Sequence, residues 1–157
     1  MRHRSLNPVV VGAVATMIAV VASADDAKNE SIQKDRNRIE GTWRVAELVV
    51  NGNRAMEDDA RRLAVVNGSD GTWSLRSEGR EISKGTSCFD PTKMPKTIDF
   101  TPTEGEARGN QYLGIYELGE DTRRMCFDTS GKQRPSDFSS SPGSDRICLT
   151  FERERTK

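Results

Sequence analysis

Between Gly41 and Arg153 the chain falls into eight short segments, roughly 41–50, 62–67, 71–77, 81–89, 96–102, 111–118, 122–128 and 146–153, each bounded by Gly, Pro, Asn or Asp. Where the pattern is clean it has period two: Ile98 and Phe100 against Thr97, Asp99 and Thr101; Met125 and Phe127 against Arg124 and Asp128; Ile147, Leu149 and Phe151 against Thr150 and Glu152. That period sends successive side chains to opposite faces of a strand, so each segment offers one apolar face to a core. Short strands at regular spacing with turn signals between them build a sandwich or a barrel. An even count joined mostly by tight connections favours an up-and-down meander closed on itself. The expected fold is all-β, an eight-stranded antiparallel up-and-down barrel with one short helix between strands 1 and 2.

The connections support this. Asn67-Gly68-Ser69-Asp70-Gly71, Glu78-Gly79 and Gly119-Glu120-Asp121 supply residues that tolerate positive φ in hairpin turns. Two links are longer. The first runs from Asn51 to Arg61 and holds Asn51-Gly52, then Ala55-Met56-Glu57-Asp58-Asp59-Ala60-Arg61-Arg62-Leu63, whose early acids and late arginines complement the dipole of a short helix. The second, Thr129 to Asp145, is rich in Ser, Pro and Gly and reads as a surface loop. The first strand opens with Glu40-Gly41-Thr42-Trp43-Arg44-Val45 and puts Trp43, Val45 and Val49 on one face. Glu47 shares that face while Leu48 and Val50 lie opposite, which calls for a bulge or a polar interior position. Gly114, between Leu113 and Ile115, marks a further bulge or a close backbone approach.

Ahead of these strands, Arg2, His3 and Arg4 precede an apolar run from Val9 to Val21 and then Ala22-Ser23-Ala24, the arrangement of a secretory signal peptide (1–24). The run is broken by Gly12 and Thr16 and is shorter than the about 20 residues of a spanning helix. No membrane span is therefore expected after cleavage. Residues 25–38 are almost wholly polar, with Ile32 the one large apolar side chain, and read as a flexible or weakly helical leader to a domain at 39–155. Cleavage removes the single histidine, His3, and with it any His-based triad or His metal site. Arg2 and Arg4 leave too, so the formal charge moves from zero to about −2. That value does not suit a nucleic-acid partner.

A secreted, periplasmic or cell-envelope location is oxidising, so Cys88, Cys126 and Cys148 allow one disulfide and leave one thiol over. Pairing 125 opposite 149 in the last two strands brings 127 to 147, Asp128 to Arg146, and Cys126 to Cys148 on the outer face. One register then satisfies the apolar, charged and thiol pairs together. A Cys126–Cys148 disulfide with Cys88 free is the expectation; the alternative is three reduced thiols used as small strand residues.

Several stretches also resemble the uncharacterised secreted lipocalin-like (calycin-type) domain family expanded in planctomycete bacteria: Glu40-Gly41-Thr42-Trp43, Asn51-Gly52, Lys84-Gly85-Thr86, Asp90-Pro91-Thr92-Lys93-Met94-Pro95-Lys96-Thr97-Ile98-Asp99, Gly114-Ile115-Tyr116-Glu117-Leu118, Cys126-Phe127 and Arg134-Pro135-Ser136-Asp137-Phe138-Ser139-Ser140. The resemblance covers about residues 38 to 153. It implies a lipocalin-like barrel and no particular activity. Gly41, Trp43 and Arg153 also resemble the structural positions of true lipocalins, in which an Arg of the last strand packs across the Trp, and this implies a guanidinium over an indole face here. Cys88 and Cys148 depart from the family pattern.

No catalytic motif stands out. Glu81-Ile82-Ser83-Lys84-Gly85-Thr86-Ser87 has the letters of a phosphate loop with Lys and Gly transposed and a strand where a helix is required. Ser139-Ser140-Ser141 has no histidine base. Asn67, Ser69 and Asp70 suit a turn as well as a cation, so neither metal nor cofactor is expected. Residues placed to meet a ligand are Trp43, Glu47, Met56, Trp73 and Tyr116, with Glu47 facing inward either to orient a ligand or to pair with an interior Arg, and the 51–62 link lying as a lid over the barrel mouth. The function expected is that of an exported, monomeric, non-enzymatic protein holding a small apolar ligand in the barrel. The alternative is an envelope or surface module with a packed barrel that meets protein or polysaccharide through its loops.

Overall fold

The computed structural model describes residues 23–155; nearly all of the expected signal peptide lies outside them. The elements are α1 (Ala24–Ile39), β1 (Gly41–Val50), β2 (Asn53–Arg54), α2 (Glu57–Arg61), β3 (Leu63–Asn67), β4 (Thr72–Ser77), β5 (Arg80–Asp90), β6 (Lys96–Pro102), β7 (Tyr112–Leu118), β8 (Thr122–Asp128) and β9 (Arg146–Arg153). Consecutive strands from β3 to β9 pair antiparallel, and β1 pairs with both β3 and β9. This closes an eight-stranded antiparallel barrel, as the period-two segments imply, and leaves β2 as a two-residue arm on the end of β1.

The register of β1 resolves its conflicting pattern. Between Val45 and Glu47 the pairing with β9 slips by one residue. Residues directly opposite one another share a face, so the inward set changes from Trp43 and Val45 to Leu48 and Val50, which face Leu149 and Ile147. Glu47 falls on the outer side, 53% exposed, with its carboxylate 2.8 Å from Arg54. The inward Glu47 expected from simple alternation is thus corrected. One bulge costs a ladder position, whereas an interior carboxylate would need a partner removed from water.

The polar leader is a helix of 16 residues that closes one end of the barrel. Ser23 and Asp26 form a capping box, Asp25 and Asp26 occupy the first turn, and Arg36 and Arg38 the last, so both ends of the dipole are complemented. Only Asp35 and Ile39, four residues apart on one face, are buried. Ile39 joins Phe89, Ile98 and Tyr116 in one core cluster, and Trp43, Val45, Ala60 and Phe151 make the other. Helix α2 packs on β1 and β3 and supplies Ala60 to this second cluster.

Outside the wall, the 129–145 segment is tied down over β7 to β9. Thr129 N–H donates to Asp145 O at 2.8 Å, Ser140 Oγ to Arg146 O at 2.9 Å, and Arg146 Nη1 to Asp137 at 3.1 Å. Beneath it lie fully buried Ile115 and Cys126. Cys126 is opposite Cys148 and bonded to it, and Cys88 is free and exposed. Gly114 is a close approach: an added Cβ would stand 3.0 Å from Cys126 O and 3.1 Å from Phe127 Cβ.

Candidate functional site

The barrel interior is built in layers by the registers. At the closed end Trp43 is fully buried and donates from Nε1 to Ile39 O at 2.7 Å. The Arg153 guanidinium lies 4.3 Å from the indole centroid and donates to the carbonyls of Glu40 and Arg38. Trp43 therefore serves as a structural plug, and Gly41 beside it adopts a positive φ of 108° with Arg153 Nη1 3.6 Å from where a Cβ would be.

A polar knot sits next to this plug. Asp35 of α1 accepts from Tyr116 Oη at 2.7 Å and from Lys96 Nζ at 2.8 Å. Burial, together with the hydrogen bond to Asp35, pushes the Tyr116 hydroxyl well above its ordinary range, so it remains a donor. The residue is committed to holding α1 in place.

The next layer holds a charge. Arg123 faces Phe151 and Leu118 across the ladders, on the same side as Val45. It is 3% exposed, and its guanidinium lies 5.2 Å from the Phe151 ring. Its one hydrogen bond runs from Nη2 to the Met125 thioether at 3.7 Å, and Nε and Nη1 are buried without partners. Burial lowers its pKa to about 10. Alternation places Arg123 with Met125 and Phe127; the signal was present in the parity, hidden because a charge inside a barrel contradicts the usual sorting of residues.

Above this the walls turn aromatic. Phe100 stacks on Tyr112 at 5.2 Å and meets Phe127 and Trp73 edge-on at 4.8 and 6.0 Å. Trp73 packs on Gly85, where an added Cβ would collide with its ring, and donates to Thr86 O at 3.0 Å. These inward side chains, with Leu48, Leu75, Ile147 and Leu149, retain partial exposure, in contrast to the sealed layer below.

Of the residues expected to meet a ligand, Trp43, Tyr116 and Trp73 face the interior, the first two in the closed half and Trp73 among the upper aromatics. Glu47 is outside. Met56 is 73% exposed at the start of α2, and it is Ala60 of that helix, not Met56, that reaches the inward side chains of the second core cluster. That exposure corrects the assignment of Met56 as an interior ligand contact.

Among the described residues, clefts on the outer wall include these two. One of about 530 Å³ is bordered by Asp90, Met94, Thr97, Ile115 and Arg134, with Arg134 paired to Asp99 at 2.7 Å and donating to Gly114 O at 2.6 Å. The other, about 370 Å³, is almost wholly polar and bordered by Asp128, Ser144 and Arg146. Asp70, Asp90, Asp128 and Asp137 each accept from the backbone and hydroxyl of the Thr or Ser two residues on, which occupies them in turns.

The class these features define is a closed β-barrel plugged by an N-terminal helix, with a buried cation under an aromatic mouth. No family model matches the chain, and neither a curated protein nor a solved structure matches it.

Proposed function

We propose that this is an exported, non-enzymatic, lipocalin-like carrier that takes a small apolar ligand through the open end of the barrel. The observation that carries the reading is the contrast between the two halves of the interior. Trp43, Val45, Phe151 and Ile39 are sealed, whereas Trp73, Phe100, Tyr112 and Phe127 point inward and stay reachable by solvent. Apolar walls reached from one end suit a ligand, and eight-stranded barrels are of a size to hold one small molecule. Export is supported by the Cys126–Cys148 disulfide, which persists in oxidising compartments. Among the described residues no helix is long and apolar enough to cross a membrane.

Displacement of the neutral fluorophore N-phenyl-1-naphthylamine, followed by native mass spectrometry of protein purified from its own host, tests the reading. A stoichiometric apolar adduct is expected. A clean apo mass with no fluorophore binding overturns it. The reading of a surface module is favoured by a different observation, the outer cleft beside Met94, which is 97% exposed. Capture of a protein or polysaccharide that is lost in Met94→Glu would select it.

A further inference from the structure

Three charged side chains among the described residues are buried: Asp35, Asp128 and Arg123. Asp35 is held by Tyr116 and Lys96, and Asp128 accepts from Ser130 N–H at 2.7 Å. Arg123 differs, because no oxygen accepts from it. A guanidinium carries five donors, and stripping them of water without acceptors is costly enough that such groups are ordinarily paired. It is also surrounded by surfaces that do not compete for it: Phe151, Met125 and the ring of Tyr116, whose hydroxyl is committed to Asp35.

We propose that Arg123 anchors the single carboxylate of an amphiphilic ligand whose apolar tail rises past Met125, Leu149 and Phe127 to the aromatic mouth. The inference deepens the carrier reading and rests on it. Three features select the head group. Among the described residues Arg123 is the one buried cation of the site, since Asp35 is already paired with Lys96 at 2.8 Å and with the part-exposed Arg38 at 3.9 Å. A monoanion therefore leaves the interior neutral, whereas a phosphate monoester dianion would leave a negative charge in apolar surroundings. A guanidinium also matches a planar carboxylate through paired N–H donors. The tail is selected by the wall, because every inward residue opposite or above Met125 on β8 and β9 is apolar: Leu149, Phe127 and Ile147.

Calorimetric titration with dodecanoate, dodecanol and dodecyl phosphate separates the parts of the argument. Dodecanoate is expected to bind at least tenfold more tightly than dodecanol. Arg123→Met should bring dodecanoate to the affinity of dodecanol while leaving dodecanol within about twofold of its unaltered value. Equal binding of acid and alcohol to the unaltered protein, or a preference for the acid that survives Arg123→Met, overturns the anchor and leaves the carrier reading standing. Tighter binding of dodecyl phosphate overturns the choice of a monoanion. Failure of all three to bind overturns the carrier reading itself. A direct measurement requires no substitution: the Arg123 Nε–H resonance should shift on adding dodecanoate and stay in place with dodecanol. A resonance unmoved by bound dodecanoate places the carboxylate elsewhere.

Discussion

At the scale of single residues, Arg123 and Glu47 show opposite resolutions of one problem, a charge whose parity points it into a barrel. For Glu47 the strand bulges and turns the carboxylate out to Arg54. For Arg123 the ladders on both sides stay in register, with Leu118 and Phe151 directly opposite, and the charge stays in. An interior cation without acceptors should reduce stability. Arg123→Met, close in volume and able to fill the same layer, is expected to stabilise the protein by about 1–4 kcal/mol, the range seen when buried ion pairs give way to apolar side chains. Chemical denaturation of the two proteins measures it. A loss of stability would mean that Arg123 contributes packing or bonding beyond its thioether contact.

At the scale of elements, the hairpin of β8 and β9 was the most legible part of the chain. Its apolar, charged and thiol pairs all demand one register, and the structure has that register, with Met125 opposite Leu149 and Cys126 opposite Cys148. The disulfide spans 22 residues, so replacing both cysteines with serine should destabilise the fold by about 3 kcal/mol in the chain-entropy description. Reduction of the unaltered protein should reproduce that loss, and unchanged denaturation midpoints would remove the bond from the list of what holds the barrel. Helix α1 was far less legible. An apolar stripe was what one would look for, and its buried face offers one isoleucine and an aspartate, whose partners Tyr116 and Lys96 are 81 and 61 residues away. Nothing local announces such a contact. Asp90 links the same helix to the β5–β6 turn: Thr92 and then Lys28 lower its pKa from 3.8 to about 2. With the folded value below the unfolded one, the unfolded chain binds more protons between them, so this contribution is full above about pH 4 and is lost as pH falls through about 2. Asp90→Asn should therefore narrow the difference in Tm between pH 5 and pH 2.5, and an undiminished difference would assign the acid sensitivity to other carboxylates.

At the scale of the whole molecule, what matters is that α1 seals one end of the interior while the side chains towards the other keep partial exposure. The ladders hold every strand without α1, and α1 packs into the floor they enclose: Ile39 is 2% exposed, its carbonyl accepts from Trp43, and Asp35 satisfies Tyr116 and Lys96. If the helix is part of the cooperative unit, deleting residues 24–39 removes one buried isoleucine and charge-assisted hydrogen bonds. The net loss is then roughly 3–5 kcal/mol after the ordering cost of the helix is set against them. The deletion should also open the floor to water, which Trp43 reports directly once Trp73→Phe has silenced the other indole. In that background Trp43 emission is expected at short wavelength in the full chain and shifted to the red in the deletion, with a matching fall in Tm. Short-wavelength emission and an unchanged Tm in the deletion would mean that the barrel closes its own floor. The helix would then be an appendage, and the asymmetry between sealed and open halves would have to come from the strands alone.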